Sequence, residues 1–178
     1  MQEIKEIRVP PSLELFSELV ELLQDAVTGG ASIGWTTVPN TREARNYWTA
    51  VLEAVGRGER QLFVATDNHV CAGAIQLALA AKPNARHRGE VEKLLVHSQY
   101  RRRGTGRALL AALEKAAAAR GRTLLVLDTI AGTPAEQLYR QAGYQLVGNV
   151  PGYAQSTKGV FEATAIYYRQ LAPAVRAP

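Results

Sequence analysis

The stretch Val91 to Leu110, VEKLLVHSQYRRRGTGRALL, holds the residues best suited to chemistry. A short apolar run ends near Val96. A turn then carries Arg101, Arg102, Arg103, Gly104, Thr105 and Gly106, and an Ala/Leu-rich segment follows. Glycines permit close backbone approach, a helix start leaves N–H groups free, and arginines add positive charge. The helix dipole contributes roughly half a positive charge at that end. The pattern predicts a turn that grips phosphate. The plainer alternative is a basic surface turn or a nucleic-acid patch.

Two known phosphate loops fit poorly. A P-loop requires Gly, four residues, then Gly-Lys-Ser/Thr, and no such run occurs. The dinucleotide fingerprint requires three glycines. Gly104 and Gly106 supply two, but position 109 is Leu. Asp128 follows at a plausible distance, so a nucleotide-binding oxidoreductase stays open as an alternative.

Other reactive side chains are scattered. Cys71 with His69 is a possible acyl-carrying nucleophile, since residues two apart on a strand share a face. A lone Cys in an apolar strand is usually a buried small hydrophobe. His69, His87 and His97 lack the spacing of metal ligands, so no metal is expected. Arg86, His87 and Arg88 cluster in a polar stretch and could bind an acceptor carboxylate.

The elements that must position these groups follow from periodicity. Residues 3–9 alternate like a strand. Ser12 can cap a helix carrying Leu13, Phe16, Leu19, Val20, Leu23 and Val27 at helical spacing. A Gly-rich loop spans 28–39. Asn40 and Glu43 form a capping-box pair before a second helix with Ala44, Tyr47, Trp48, Val51, Leu52 and Val55 on its inner face. Residues 60–66 and 70–80 read as a hairpin turning at Asp67-Asn68, and 89–97 as a strand. A helix from about 105 to 120 stops at Gly121. Leu124 to Leu127 read as a buried central strand. Thr133, Pro134 and Glu136 form a capping box before a short helix ending at Gly143. Strands near 144–148 and 161–171 close the chain.

Composition bounds the class. The chain has 178 residues, 47% apolar and 21% charged, as in an ordinary globular domain. One domain, 1–178, is expected. No run approaches the ~18 apolar residues of a membrane span. The opening MQEIKEIRVPPS lacks the apolar stretch of a signal peptide, and a single Cys71 fits a reducing cytoplasm. A net charge of +5 suits a polyanionic ligand but is too weak to argue for nucleic acid.

The order β-α-α-β-β-β-α-β-α-β-β, with Arg101-x-x-Gly104-x-Gly106 after L-L-V-H-x-x-Y, resembles the GNAT N-acetyltransferase superfamily over nearly the whole chain. The runs KPNARHR, EVEKL, LDT, NVPGY and TAIYY are similar to its tabtoxin-resistance branch. The resemblance implies an α/β (α+β) fold. Its mixed central sheet would have about seven strands with splayed parallel central strands, and about four helices. It implies acetyl-CoA as co-substrate and direct transfer to a small-molecule amine, such as a toxin, antibiotic or amino-acid-like acceptor. A non-catalytic acyl-CoA sensor is the other alternative.

It also implies residue roles. The backbone of Leu94, Leu95 and Val96 would pair with the pantetheine arm like an added strand. Amides from Arg102 to Arg107 would hold the pyrophosphate. An amine resembling Lys has a pKa near ~10.4, so the site needs a base, and the leaving thiolate benefits from an acid. Glu92 and Asp128, on strands that splay in this fold, are the candidate bases or amine anchors; Arg88 or Lys93 could pair with either. An unshifted Glu lies about six pKa units below such an ammonium, making direct transfer uphill by roughly 8 kcal/mol. Shifted values or a water relay are therefore expected. Tyr139, in the A-x-x-x-Y pattern from Ala135, is the candidate acid. Trp35 is a candidate wall of the acceptor pocket. The oligomer is expected to be a monomer or a homodimer; the last strand, Phe161 to Leu171, could pair across a dimer or equally be internal.

Overall fold

The computed structural model describes residues 2–8 and 10–172. Strand β1, Gln2–Ile7, leads to helices α1, Leu13–Thr28, and α2, Thr41–Gly56. Strands β2, Arg60–Asp67, β3, Val70–Leu79, and β4, Arg88–Val96, follow. Helix α3, Thr105–Ala119, strand β5, Leu124–Ile130, and helix α4, Pro134–Gln141, come next. Strands β6, Gln145–Gln155, and β7, Phe161–Gln170, complete it. The order of elements is the one the sequence led us to expect. The expected first strand reached Val9, which lies outside the described residues.

All seven strands form one mixed sheet in the order β1-β2-β3-β4-β5-β7-β6. Only β4 and β5 run parallel among the described strands; the other neighbours are antiparallel. Alternation along the strands feeds two cores. Phe63, Ile75, Leu77, Val91, Leu125 and Leu127 pack with α3 and α4 on one face. Leu62, Val64, Ala74 and Leu95 pack with α1 and α2 on the other.

The helix starts obey local chemistry. Ser12 accepts from the Leu15 amide, and Asn40 and Glu43 form a reciprocal capping box. Leu13, expected on the buried face of α1, is 82% exposed, and Leu22 and Ala26 take up burial instead. A first-turn residue extends past the sheet that α1 covers. In α4 the Thr133 hydroxyl accepts from the Glu136 amide, but the Glu136 carboxylate bonds the amide of Gly132 rather than that of Thr133. The expected box there is only half formed.

The β2–β3 turn sits one residue later than expected. Asp67 pairs with Val70, leaving Asn68 and His69 as the two turn residues at φ 49° and 69°. A two-residue hairpin of this hand needs positive φ at both, which Asn tolerates best among side-chain-bearing residues. In β5 only Leu125 and Leu127 are buried, because α1 and α2 lie over β2, β3 and β4 and leave the outer face of β5 open. β6 also runs to Gln155, well past the expected end at 148.

Candidate active site

The central feature is a parting of β4 from β5. They pair at Arg88 with Leu124, Gly89 with Leu125, and Glu90 with Val126. Beyond those rungs each follows a different neighbour: β4 stays on β3 as far as Val96, and β5 stays on β7 as far as Ile130. A wedge-shaped gap opens between them. Within it β4 carries a bulge. Ala74 faces Leu95 while Gln76 faces Glu92, so three residues of β4 span what two of β3 span, and Lys93 takes φ 50°. The extra residue kinks the strand and changes which face its side chains meet. Val91 points to the α3 side and Leu95 to the α1 side.

Past Val96 the chain makes a tight turn, Ser98–Tyr100, fixed from α1. Asp25 accepts from the Ser98 amide at 2.8 Å and from its hydroxyl at 2.7 Å. Arg101 is also drawn there: its Nε donates to the Val96 carbonyl at 3.2 Å, and its guanidinium lies 3.9 Å from Asp25. Arg103 stacks on Tyr100 at 5.3 Å. Arg102 and Gly104 both take positive φ, and α3 starts at Thr105 with no side-chain cap. Thr105 is buried, donating to the Tyr100 carbonyl and accepting from Gln2, so its side chain serves the fold. The first amides of an uncapped helix remain open to an anion at the positive end of the dipole. Around Gly104 there is open space, and a Cβ on Gly106 would sit 3.4 Å from Leu138 and 3.6 Å from Val96. The turn thus has the free donors, clearance and charge that a pyrophosphate needs. Leu94 and Val96 line the floor between it and the gap.

On the α1/α2 side of the gap lie three carboxylates. Glu90 and Glu92 share a face of β4, opposite buried Val91. Asp128 lies on the same face of β5 as Val126, two residues beyond the last shared rung. Sequence reading missed Glu90, although strand alternation signals it. Glu90 is exposed, and partial desolvation, then the charges of Glu92 and Asp128, push its carboxyl above the usual range. Glu92 is paired, but with Arg60 of β2 at 2.5 Å rather than with Arg88 or Lys93. Arg60 also donates to Gln76 at 2.7 Å, and Gln76 donates to the Tyr47 hydroxyl at 2.8 Å. Burial pushes the Tyr47 phenol up to about 12, so it stays protonated.

On the opposite side Tyr139 enters from α4. It is 6% exposed, and among the described residues nothing hydrogen-bonds its hydroxyl. Burial, then the charge of Asp128, raise its pKa well above that of an ordinary phenol. It stays protonated, and Asp128 of β5 is close enough for its charge to act on it.

The remaining expected site residues lie apart. Trp35 is half-buried against the α1/α2 core. Arg86 and His87 are exposed just before β4, where the Arg86 carbonyl accepts from Arg122 and the His87 carbonyl from the Thr123 amide at 2.8 Å. That is roughly 30 Å along β4 from the glycine turn, at about 3.3 Å per residue. Cys71 is 3% exposed, and burial pushes its thiol up to about 12, while His69 is in the exposed hairpin turn. The pair cannot act as an acyl-carrying nucleophile. No helix among the described residues is long and apolar enough to cross a membrane.

The sheet thus parts its two parallel strands beside an uncapped, glycine-started helix. The chain belongs to the acetyltransferase (GNAT) family, whose sequence profile matches residues 16–144. Among similar solved structures is a ribosomal-protein-alanine N-acetyltransferase from Brucella melitensis, 24% identical, covering 95% of this chain and 99% of that one, TM-score 0.79. An N-acetyltransferase from Staphylococcus aureus Mu50 is 19% identical over 97% and 99%, TM-score 0.80. A phosphinothricin acetyltransferase from Sinorhizobium meliloti, solved in complex with acetyl-CoA, is 20% identical over 99% and 92%, TM-score 0.76.

Proposed function

We propose that the protein moves an acetyl group from acetyl-CoA directly to the amine of a small molecule, with both substrates bound together. One observation carries this reading: the gap between β4 and β5 has carboxylates on one side and, on the other, the largely buried Tyr139, whose hydroxyl has no partner among the described residues. A thioester in that gap would meet a base and an acid from opposite faces. Gly104, Gly106 and the amides of Arg102 to Arg107 hold the coenzyme phosphates. Leu94, Leu95 and Val96 flank its arm. Arg101 shapes the turn through Asp25 and Val96. Glu92 and Asp128 serve the amine, and Tyr139 protonates the leaving sulfur.

The runs similar to the tabtoxin-resistance branch point to a toxin, antibiotic or amino-acid-like acceptor, with Trp35 as a pocket wall. The same reading places the protein in the cytoplasm as one domain, a monomer or a homodimer, with no metal. The oxidoreductase alternative is weakened because Leu109, where a third glycine belongs, is fully buried core. Calorimetric titration with acetyl-CoA beside NAD tests the reading. Micromolar binding of acetyl-CoA alone is expected, and its absence overturns the assignment. Loss of thiol release in Glu92→Gln/Asp128→Asn with coenzyme binding kept argues against a sensor.

A further inference from the structure

We infer that the edge strand β6 and its turn into β7 form the contact between two copies of this chain, closed by a two-fold axis. This goes beyond the acetyl-transfer reading and does not depend on it. The sheet order places β7 between β5 and β6, so the last strand is internal and β6 is the open edge. Nine large apolar side chains stay exposed among the described residues, and six of them fall here: Leu146, Val147, Val150, Tyr153, Val160 and Phe161. Val147, Tyr153 and Phe161 are 65%, 60% and 68% exposed. Directly opposed residues of an antiparallel pair share a face. Leu146 is opposite buried Tyr167 and so lies on the α3/α4 face, whereas Val150 is opposite Thr164 and lies on the other. The apolar strip therefore wraps the edge from both faces.

Charge decides the occupant. From Tyr144 to Phe161 the chain has one charged residue, Lys158, in a protein that is 21% charged with a net charge of +5. A two-fold contact lays a surface against its own copy, so a cluster of one charge would meet its like. An uncharged strip is the surface that such a contact accepts. A nucleic acid or an acidic partner calls for a basic strip, which this is not. Area points the same way. The six side chains leave roughly 600 Å² open, the top of the ~300–600 Å² found for the largest patch on a monomer. With the backbone of the edge they approach the ~800 Å² that each partner contributes to a standard interface.

The edge is also built to stop at two. Exposed strand edges carry charge, Pro or bulges against endless pairing. β6 has no charged residue, but it has the other two devices. Pro151 donates no N–H. Val150 faces Thr164 while Ala154 faces Glu162, so three residues of β6 stand against Ala163 alone, and Gly152 takes φ 62°. A second shift separates Leu146 from Gly148. These breaks leave no long row of backbone donors to template a fibre, so the contact rests on side chains. On the face of the acceptor carboxylates, Val150 and Thr164 are level with Ile130 of β5, two residues past Asp128. Two strand spacings put β6 about 10 Å from β5. A second copy on β6 would wall the open side of that face.

Light scattering of the full chain across a dilution series tests the inference. Wild type should weigh twice the 19.3 kDa chain mass at micromolar concentration. Val147→Glu/Phe161→Glu sets like charges against each other across the two-fold contact and should weaken self-association about 100-fold or more, leaving the monomer mass. Leu13→Glu, 82% exposed on α1, is the control and should keep the dimer. Hydrogen exchange of wild type gives a second readout that needs no variant. The amides of β6, Gln145–Gln155, should exchange more slowly in concentrated than in dilute protein. A wild type that stays monomeric overturns the inference and leaves the strip to a partner of another kind. A dimer whose β6 exchange does not depend on concentration, or that survives the double substitution, overturns it by placing the contact elsewhere. Masses that grow beyond the dimer refute the two-fold closure.

Discussion

Gly73→Ala is the sharpest structural probe of the coenzyme side. Gly73 lies in β3 opposite Val96, under the end of β4 and the start of α3. A Cβ there would meet the Leu95 carbonyl oxygen at 2.6 Å, Leu109 at 3.2 Å and Thr105 at 3.4 Å. Real Cβ atoms essentially never approach within 3.0 Å, so the β4 backbone must move by at least 0.4 Å. Leu109 and Thr105 are buried and leave α3 no room to retreat. Overpacking of this kind costs about 1–3 kcal/mol. Alanine also gains about 0.4–1 kcal/mol through the unfolded chain. Gly148→Ala provides the control for that gain, since nothing lies within 4 Å of its Cβ and its φ is not positive. Each kcal/mol shifts Tm by about 2–4 °C at this chain length, so Gly73→Ala should melt about 2–12 °C below Gly148→Ala. Because the displaced carbonyl belongs to the strand that flanks the proposed coenzyme arm, acetyl-CoA affinity should fall about tenfold, equivalent to ~1.4 kcal/mol. Thermal circular dichroism and calorimetry measure both. Equal Tm values for the two variants would refute the close-approach argument.

Three further outcomes are expected. Tyr139→Phe should lower kcat by about 100-fold or more while leaving Tm nearly unchanged, because the hydroxyl has no partner whose loss would destabilise the fold; pH-rate and melting curves check both halves. Glu136 is held below the usual carboxylate range by the Tyr167 hydroxyl first, then by the Gly132 amide and Arg140. Its folded-state pKa is depressed, so its stabilisation is full above ~4.3 and disappears as pH falls through the lower folded value. Glu136→Gln should therefore flatten the acid limb of a urea-stability profile, and an unchanged slope would contradict the assignment. Burial and the raised thiol pKa of Cys71 should keep the native protein inert to iodoacetamide at pH 8, and Cys71→Ala should retain full thiol-release activity.

Much of the fold was legible because its signals are local. Ser12, Asn40 and Glu43 start helices by bonds within three residues of themselves, and Gly121 and Gly143 mark stops at positive φ. The glycine turn was legible for the same reason. What escaped is carried by contacts distant in sequence. Arg60 and Glu92 are 32 residues apart and meet only because β2, β3 and β4 stack in register. Neighbours such as Arg88 and Lys93 were the natural partners to name from the sequence, and neither pairs with Glu92. The register Arg60–Ala78–Glu90 was in principle available from the hairpin, but it depends on bulges that no residue type announces. Lys93 at φ 50° is such a case, since nothing in a lysine signals a left-handed backbone.

That bulge gives one strand two independent readers. Upstream of Lys93, substitutions at Glu90 and Glu92 alter the face proposed to meet the acceptor. Downstream, Leu94 and Val96 border the glycine turn proposed to meet the coenzyme. Selection for a new amine can therefore act on the first stretch while the second keeps its common donor. A one-residue deletion at Lys93 would couple the two again, turning the downstream side chains onto the wrong face. A drifting lineage should thus vary the residues before the bulge freely and keep its length fixed.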